Sequence, residues 1–318
     1  MKNRFFVLGM LLSVALILAF HYWFTVEAPC FEDSVIEHNR ILRDTAVQPF
    51  NNRVLVPYTT EFIIDKLQKV IPYRAAFKIT YIVFIAINLL AAFILLYYYL
   101  SLFFESLLLK IAGILWVVAS FIVALRFHCY QPWSFIELVF FLAGVIFIYK
   151  NRYIELLICI LFATLNRETA LYIPLLYCIQ QFDFKKFRVK ENIVKFSGPI
   201  IVFSIIFIML KVFRSATPHQ KSILELFQTN TQSLNGFIIN MLAIALFFNM
   251  QLFAVPMGYK YADEFNKKNM FLTPVVFVLY AVFGAWGETR VLMPYLVLIL
   301  PLGLYYINKI SVDNGMAG

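Results

Sequence analysis

The sequence predicts an all-α polytopic membrane protein of about ten transmembrane or re-entrant helices, with a large extracytoplasmic first loop. Three observations predict it. The 318 residues are 62% apolar and only 14% charged, whereas soluble domains run near half apolar and a quarter charged. Apolar runs recur along the whole length, so no separate soluble domain of ordinary size fits and residues 1–318 read as one integral membrane domain. One long polar stretch, Glu27 to Arg74, stands between two apolar segments. The net charge of +9 does not imply nucleic acid, because basic residues of a polytopic chain collect in cytoplasmic loops.

Met1-Lys2-Asn3-Arg4 precedes an apolar run from Phe5 to Phe24. A basic start and an apolar core also describe a signal peptide. The run is long enough to span unaided, and Pro29 crowds the only small-residue cleavage position near Ala28. It reads as an uncleaved first helix with a cytoplasmic N-terminus. Residues 25–74 form the outer loop. There Asp33 or Ser34 is positioned to cap a short helix, with Glu37 completing a capping box. Thr60 to Ile71 is amphipathic, with Ile63, Leu67, Val70 and Ile71 on one face. It is expected to lie on the membrane surface and to end at Pro72.

Helices follow at about 75–100, 102–125 and 134–149, with an outer turn from Arg126 to Trp133 and an inner one at Lys150-Asn151-Arg152. Residues 153–180 hold two apolar runs too short for ordinary spans, split by Asn166-Arg167-Glu168-Thr169. They read as a short helix pair or a re-entrant hairpin. Lys185, Lys186, Arg188 and Lys190 then mark the cytoplasmic side. Further spans are expected at about 196–213, 237–257, 270–287 and 291–307, with an interfacial helix at Ser222–Phe227. Both termini come out cytoplasmic. In the shorter loops, where the rule works best, Lys and Arg favour the inner side. A bacterial inner membrane is the expected location.

Under this topology Glu32, Asp33, Arg53, Arg126, His128, Arg167, Glu168, Glu288 and Arg290 share one membrane face, although the chain scatters them widely. Ionisable groups at membrane depth are costly and usually line a functional cavity. Each has a plainer reading. Asp33 caps a helix, Glu32 is solvated, Arg53 anchors the loop to lipid phosphate, Arg126 and His128 are interfacial, and the members of each Glu/Arg pair neutralise each other or stabilise helix packing. Glu137, one turn into its helix, reads as a packing hydrogen-bonder. The shared face is the stronger signal. Sugar transfer to a hydroxyl needs a carboxylate to take the acceptor proton and cations to meet a phosphate leaving group. Glu32 or Asp33 fits the first task. Arg53, Arg167 and Arg290 fit the second. Arg126, His128, Glu168 and Glu288 complete the expected substrate-binding set.

The four cysteines, Cys30, Cys129, Cys159 and Cys178, show no CxxC spacing, so a zinc or redox site is not expected. Cys30 and Cys129 fall on one predicted face, which leaves a disulfide between them open.

At Phe31-Glu32-Asp33, Leu165-Asn166-Arg167-Glu168-Thr169-Ala170-Leu171 and Glu288-Thr289-Arg290 before Pro294, the pattern resembles the GT-C superfamily of polyprenyl-phosphate-sugar glycosyltransferases, of the protein-mannosyltransferase kind. Members have a first helix, a large extracytoplasmic loop with an acidic motif, a basic-acidic turn between short helices, and a late Glu/Arg-then-Pro segment. The resemblance covers most of the chain in layout and a few residues in motif. It implies a membrane glycosyltransferase without cofactor or obligatory metal. Its partners would be a lipid-linked sugar donor, a glycan, lipid or protein acceptor, and membrane lipids, with no nucleic acid. A polysaccharide polymerase, a non-enzymatic lipid or solute transporter and a structural membrane subunit are the other readings. A transporter predicts repeated halves and midplane charges, and no internal repeat is visible.

Overall fold

The computed structural model describes all residues except 1, 126–129, 183–188, 215–224, 226, 227, 229, 232, 284, 285, 287 and 314–318; of 2–4, 189–195 and 283 only the backbone is described. Every regular element among the described residues is helical. The α-helices are α1 Lys2–Tyr22, α2 Phe31–Leu42, α3 Leu55–Leu67, α4 Tyr73–Ser101, α5 Leu107–Ala124, α6 Trp133–Tyr149, α7 Tyr153–Asn166, α8 Tyr172–Gln181, α9 Val189–Phe213, α10 Leu234–Phe248, α11 Gln251–Gly258, α12 Glu264–Asn269, α13 Thr273–Phe283 and α14 Met293–Asp313.

Among the described residues, five helical stretches are long and apolar enough to cross a membrane, or six if α10 and α11 form one bent span. The expectation of about ten segments also counted short elements: α6 and α7 are apolar but have only 17 and 14 residues. The chain packs α1 on α4, α4 on α6, α6 on α7, and α7 on α9. At the centre stands α14, packed against α5, α6, α11 and α12. Its run from Met293 to Leu304 is buried throughout. A helix apolar all round is stable only when surrounded, and Met-Pro-Tyr-Leu-Val-Leu-Ile-Leu-Pro-Leu-Gly-Leu offers no polar face. Where α11 crosses α14, Gly258 lies against the Leu302 carbonyl, leaving no space for a β-carbon.

Three expectations change. The segment at 237–257 is not one helix: it breaks at Asn249, where α10 and α11 meet at 54°. Asn249 takes φ 41° and ψ −124°, a positive-φ conformation outside the left-handed helical region and strained for a residue with a side chain. Its side chain accepts from Trp116 Nε1 and donates to Ser120 Oγ at 3.0 Å, so α5 holds the break. No side chain caps α2. Ser34, expected in a capping box with Glu37, lies inside the helix and donates instead to Glu27. Finally, α3 buries Val56, Pro57, Thr60 and Ile64 against protein. Val70 of the expected apolar face is 86% exposed. The proline-containing first turn starts this helix earlier than its amphipathic pattern does, and α4 competes with lipid for its apolar residues.

The first loop is therefore a packed layer. Trp23, Ile41, Ala46, Val56, Ile64, Ala76, Phe77, Tyr81, Tyr130 and Trp133 form a second apolar core, apart from the main one between the long helices. This layer positions the charged groups. The expected interfacial helix at Ser222–Phe227 lies mostly outside the described residues.

Candidate functional site

Arg53 follows a 3-10 turn, Phe50–Asn52, and precedes α3. Its guanidinium carbon lies 4.9 Å from the ring centres of both Phe50 and Trp133. The two rings are themselves 5.7 Å apart, and the planar fork rests against both, oriented as well as attracted. It meets the Glu168 carboxylate through two nitrogens, Nη2–Oε1 at 2.6 Å and Nε–Oε2 at 3.3 Å. Burial pulls the Arg53 pKa below its ordinary value, against the opposing pull of Glu168. For Glu168, burial raises the pKa, but Arg53 and Arg167 outweigh it and hold the carboxyl below its usual value.

The Asn166–Thr169 turn supplies the next groups. Asn166 Nδ2 donates to the Trp133 carbonyl at 3.0 Å, tying the end of α7 to the start of α6. Arg167 leaves the helix in an extended conformation, φ −165° and ψ 148°, which aims its side chain back at α6. Its Nη1 donates to Glu137 Oε2 at 2.7 Å. Thr169 donates to the other oxygen of the same carboxylate. Arg167 and Glu168 also form an ion pair, as their adjacency suggests, but at 3.9 Å it is the longer contact of each. Glu137 is a structural acceptor, as its place in α6 suggested.

Glu288 and Arg290 precede α14 and pair at 2.8 Å. Arg290 is 4% exposed. It lies within electrostatic reach of Arg167, and Arg167 of Glu288, so the late motif adjoins the α7–α8 turn. Arg290 also lines a recess with Tyr22, Gln131 and Ser134. Several polar atoms of this buried region have no hydrogen-bond partner among the described residues: Arg290 Nε, Arg167 Nε, Ser134 Oγ, Trp133 Nε1, Gln131 Oε1 and Asn166 Oδ1. Buried polar groups are ordinarily satisfied, and four of these six can donate. Oxygen acceptors would satisfy those four.

The sequence reading passed over Glu27. After α1 the chain makes a π turn, Trp23–Glu27, and a 3-10 turn, Ala28–Cys30, where Pro29 removes the amide that would continue the α-helix. These turns swing Glu27 inward to 5% exposure. Tyr22 Oη donates to it at 2.6 Å and Ser34 Oγ at 2.7 Å, and the backbone amides of Tyr130 and Gln131 also serve it. The usable signal was its position, the first carboxylate after an apolar helix. Arg214 was also missed. Its side chain meets Asp44 at 3.2 Å and Tyr58 Oη at 3.2 Å, so the end of α9 is tied to the first loop.

Beside these charges runs an apolar groove of about 480 Å³, walled by Val54, Leu55, Tyr58, Thr59 and Leu165 on one side and Ile206, Met209, Leu210 and Phe213 of α9 on the other. Val54 is the neighbour of Arg53 in the chain, and Leu165 stands two residues before Arg167. Arg214 is also in its lining.

The two expected catalytic carboxylates are not in this buried cluster. Glu32 pairs with Arg74 at 2.8 Å on the surface, their side chains 60% and 72% exposed. Asp33 is exposed on the same first turn of α2. The helical pitch is the reason: Ser34, His38 and Ile41, spaced four and three apart, take the buried face. Glu32 and Asp33 are thereby turned outward. Arg126 and His128 lie outside the described residues. Cys30 is disulfide-bonded, while Cys129 is outside the described residues. Cys159 and Cys178 are free thiols. No family model, curated protein or solved structure matches this chain.

Proposed function

We propose that this chain is an integral membrane glycosyltransferase that moves a sugar from a polyprenyl-phosphate donor to an acceptor hydroxyl at the extracytoplasmic face. The observation that carries the reading is the apolar groove whose lining includes Val54 and Leu165, near neighbours in the chain of Arg53 and Arg167, together with Arg214. An apolar groove with a guanidinium group in its lining complements an amphiphile with an apolar tail and an anionic head. A chain that is almost all membrane also suits a substrate whose tail is in the membrane. The unpartnered donors near Arg167 and Arg290 support a ligand rich in oxygen acceptors.

In this reading the tail lies along α9 and α3, and the phosphate meets Arg53, Arg167 and Arg290. Asp33, exposed on α2 outside the buried cluster and with no ion-pair partner shown among the described residues, takes the proton from the acceptor hydroxyl. The acceptor oxygen bonds to the anomeric carbon as the bond to phosphate oxygen breaks. The polyprenyl phosphate leaves with the electron pair, stabilised by the arginines. Glu32 is the less suited base because Arg74 holds it. The disulfide at Cys30 supports an oxidising, extracytoplasmic side for this layer. With it go about ten membrane segments, α7 and α8 as the short pair, cytoplasmic termini and a bacterial inner membrane.

The break between α10 and α11 favours a second reading, a transporter, because discontinuous helices mark many transporter sites. Radiolabelled polyprenyl-phosphate sugar offered to the purified chain in nanodiscs separates the two. Label moved to an acceptor, lost in Asp33→Asn and kept in Glu32→Gln, supports the enzyme. Flux of label across proteoliposomes without transfer supports the transporter. Transfer that survives both substitutions removes the assigned base.

A further inference from the structure

His38 belongs to none of the chemistry above, yet its side chain has no exposed surface. Its Nδ1 lies 2.9 Å from Tyr130 Oη and 2.8 Å from Tyr81 Oη, and the two hydroxyls are 2.9 Å apart. Its Nε2 lies 2.9 Å from Glu61 Oε2. Thr60 Oγ1, 3.1 Å from Tyr81 Oη, donates to the Val56 carbonyl at 2.8 Å. The ring stands edge-on to Phe77 at 5.3 Å. One imidazole thus joins α2, α3, α4 and the turn at Tyr130, whose amide also serves Glu27.

Counting hydrogens shows what this arrangement holds. A neutral ring donates from Nε2 to the Glu61 carboxylate and accepts one tyrosine hydroxyl at Nδ1. An added proton turns Nδ1 into a donor. The tyrosine hydroxyl that donated to Nδ1 must then donate to the other tyrosine oxygen, 2.9 Å away, and that hydroxyl to Thr60 Oγ1, so the direction of the chain reverses. The added charge also sits among aromatic rings without water, which opposes it. Its one direct counter-charge, Glu61, is 24% exposed and so partly screened. The other titratable groups around the network are Tyr73 of α4, near Asn39 and Glu61, Glu27 at the end of the π turn after α1, in reach of Tyr81 and Tyr130, and Glu37 of α2, already paired with Arg40.

We propose that His38 is a pH-responsive latch: neutral, it ties α2 to α3, α4 and the Tyr130 turn, and acidification charges the ring and loosens that tie. The latch requires no substrate and stands independently of the glycosyltransferase reading.

The test is thermal unfolding and amide hydrogen exchange of the full chain in nanodiscs between pH 7.5 and 5.5. The wild type should lose stability as pH falls below about 6.5, the ordinary imidazole value, because the unfolded chain then binds more protons. Exchange in residues 31–42 and 55–67, corrected for intrinsic rate, should rise by up to about tenfold per pH unit, the limit for one proton. His38→Gln should flatten the response. Replacing His21, His128 and His219 together by Gln should leave it. Unchanged wild-type stability and exchange over this range overturn the proposal, whether or not His38→Gln folds. So does a response that His38→Gln retains and the triple variant loses.

Discussion

Arg53 and Glu168, 115 residues apart in the chain, form a two-nitrogen ion pair closed at 2.6 Å and 3.3 Å. This pair clamps the first loop to the turn after α7. Arg53 is 4% exposed and the Glu168 side chain 35%, so the two ends of the pair differ in what their loss costs. An arginine left against Phe50 and Trp133 without a carboxylate is a buried, uncompensated charge.

Glu168→Gln should therefore destabilise the chain by about 2–3 kcal/mol, below the range for a fully buried pair because the carboxylate is partly solvated. Arg53→Leu with Glu168→Leu together should cost less than the two singles added. A double-mutant cycle on thermal unfolding in nanodiscs measures this. Strict additivity would show that the pair does not couple.

The same pair sets a pH dependence. The folded-state pKa of Glu168 is depressed, so its contribution is fully present above the unfolded value, about 4.3. It is lost as pH falls through the folded value. The stability gap between wild type and Glu168→Gln should be constant from pH 8 to 5 and close in more acid solution. A gap unchanged down to pH 3 contradicts the assigned shift.

Gly258 and Gly9 make a contrasting pair. A β-carbon at Gly258 meets the Leu302 backbone carbonyl, whereas at Gly9 it meets nothing within 4 Å. Gly258→Ala should cost about 1–3 kcal/mol or more, because backbone rather than a side-chain tip must move. Gly9→Ala should be neutral or stabilise by up to about 1 kcal/mol. Thermal unfolding of the two variants reads both directions.

If the apolar groove takes a donor tail, narrowing it should discriminate by chain length. Ile206→Trp or Thr59→Trp should raise KM for a long polyprenyl-phosphate sugar by about tenfold, a loss of about 1.4 kcal/mol. A short-chain donor should be little affected. Equal effects on both would place the tail elsewhere.

Much of the layout was legible because apolar runs report burial directly. The run around α4 and the all-apolar run in α14 announce long buried helices whatever surrounds them, and Arg167-Glu168 in so apolar a setting announced a costly buried turn. The motif stretches containing Arg53, Arg167 and Arg290 were all singled out. Their pairing was not legible: adjacency in the chain suggested Arg167 with Glu168, while the extended backbone at Arg167 sends its side chain to Glu137. The roles of Glu32 and Glu27 were likewise reversed in burial, since an acidic triplet reads the same whichever way its helix turns. The break at Asn249 lay inside an unbroken apolar run and left no mark in composition.

The order of residues alone established an apolar, helical, membrane-suited chain with a polar first loop and a small set of conspicuous charges, because hydropathy and period are local properties. Which charge faces which was decided in three dimensions. Arg53 finds Glu168 and His38 finds Glu61, Tyr81 and Tyr130 only after separate helices pack. A buried ion then takes the partner that packing brings within hydrogen-bond distance, not the one beside it in the chain.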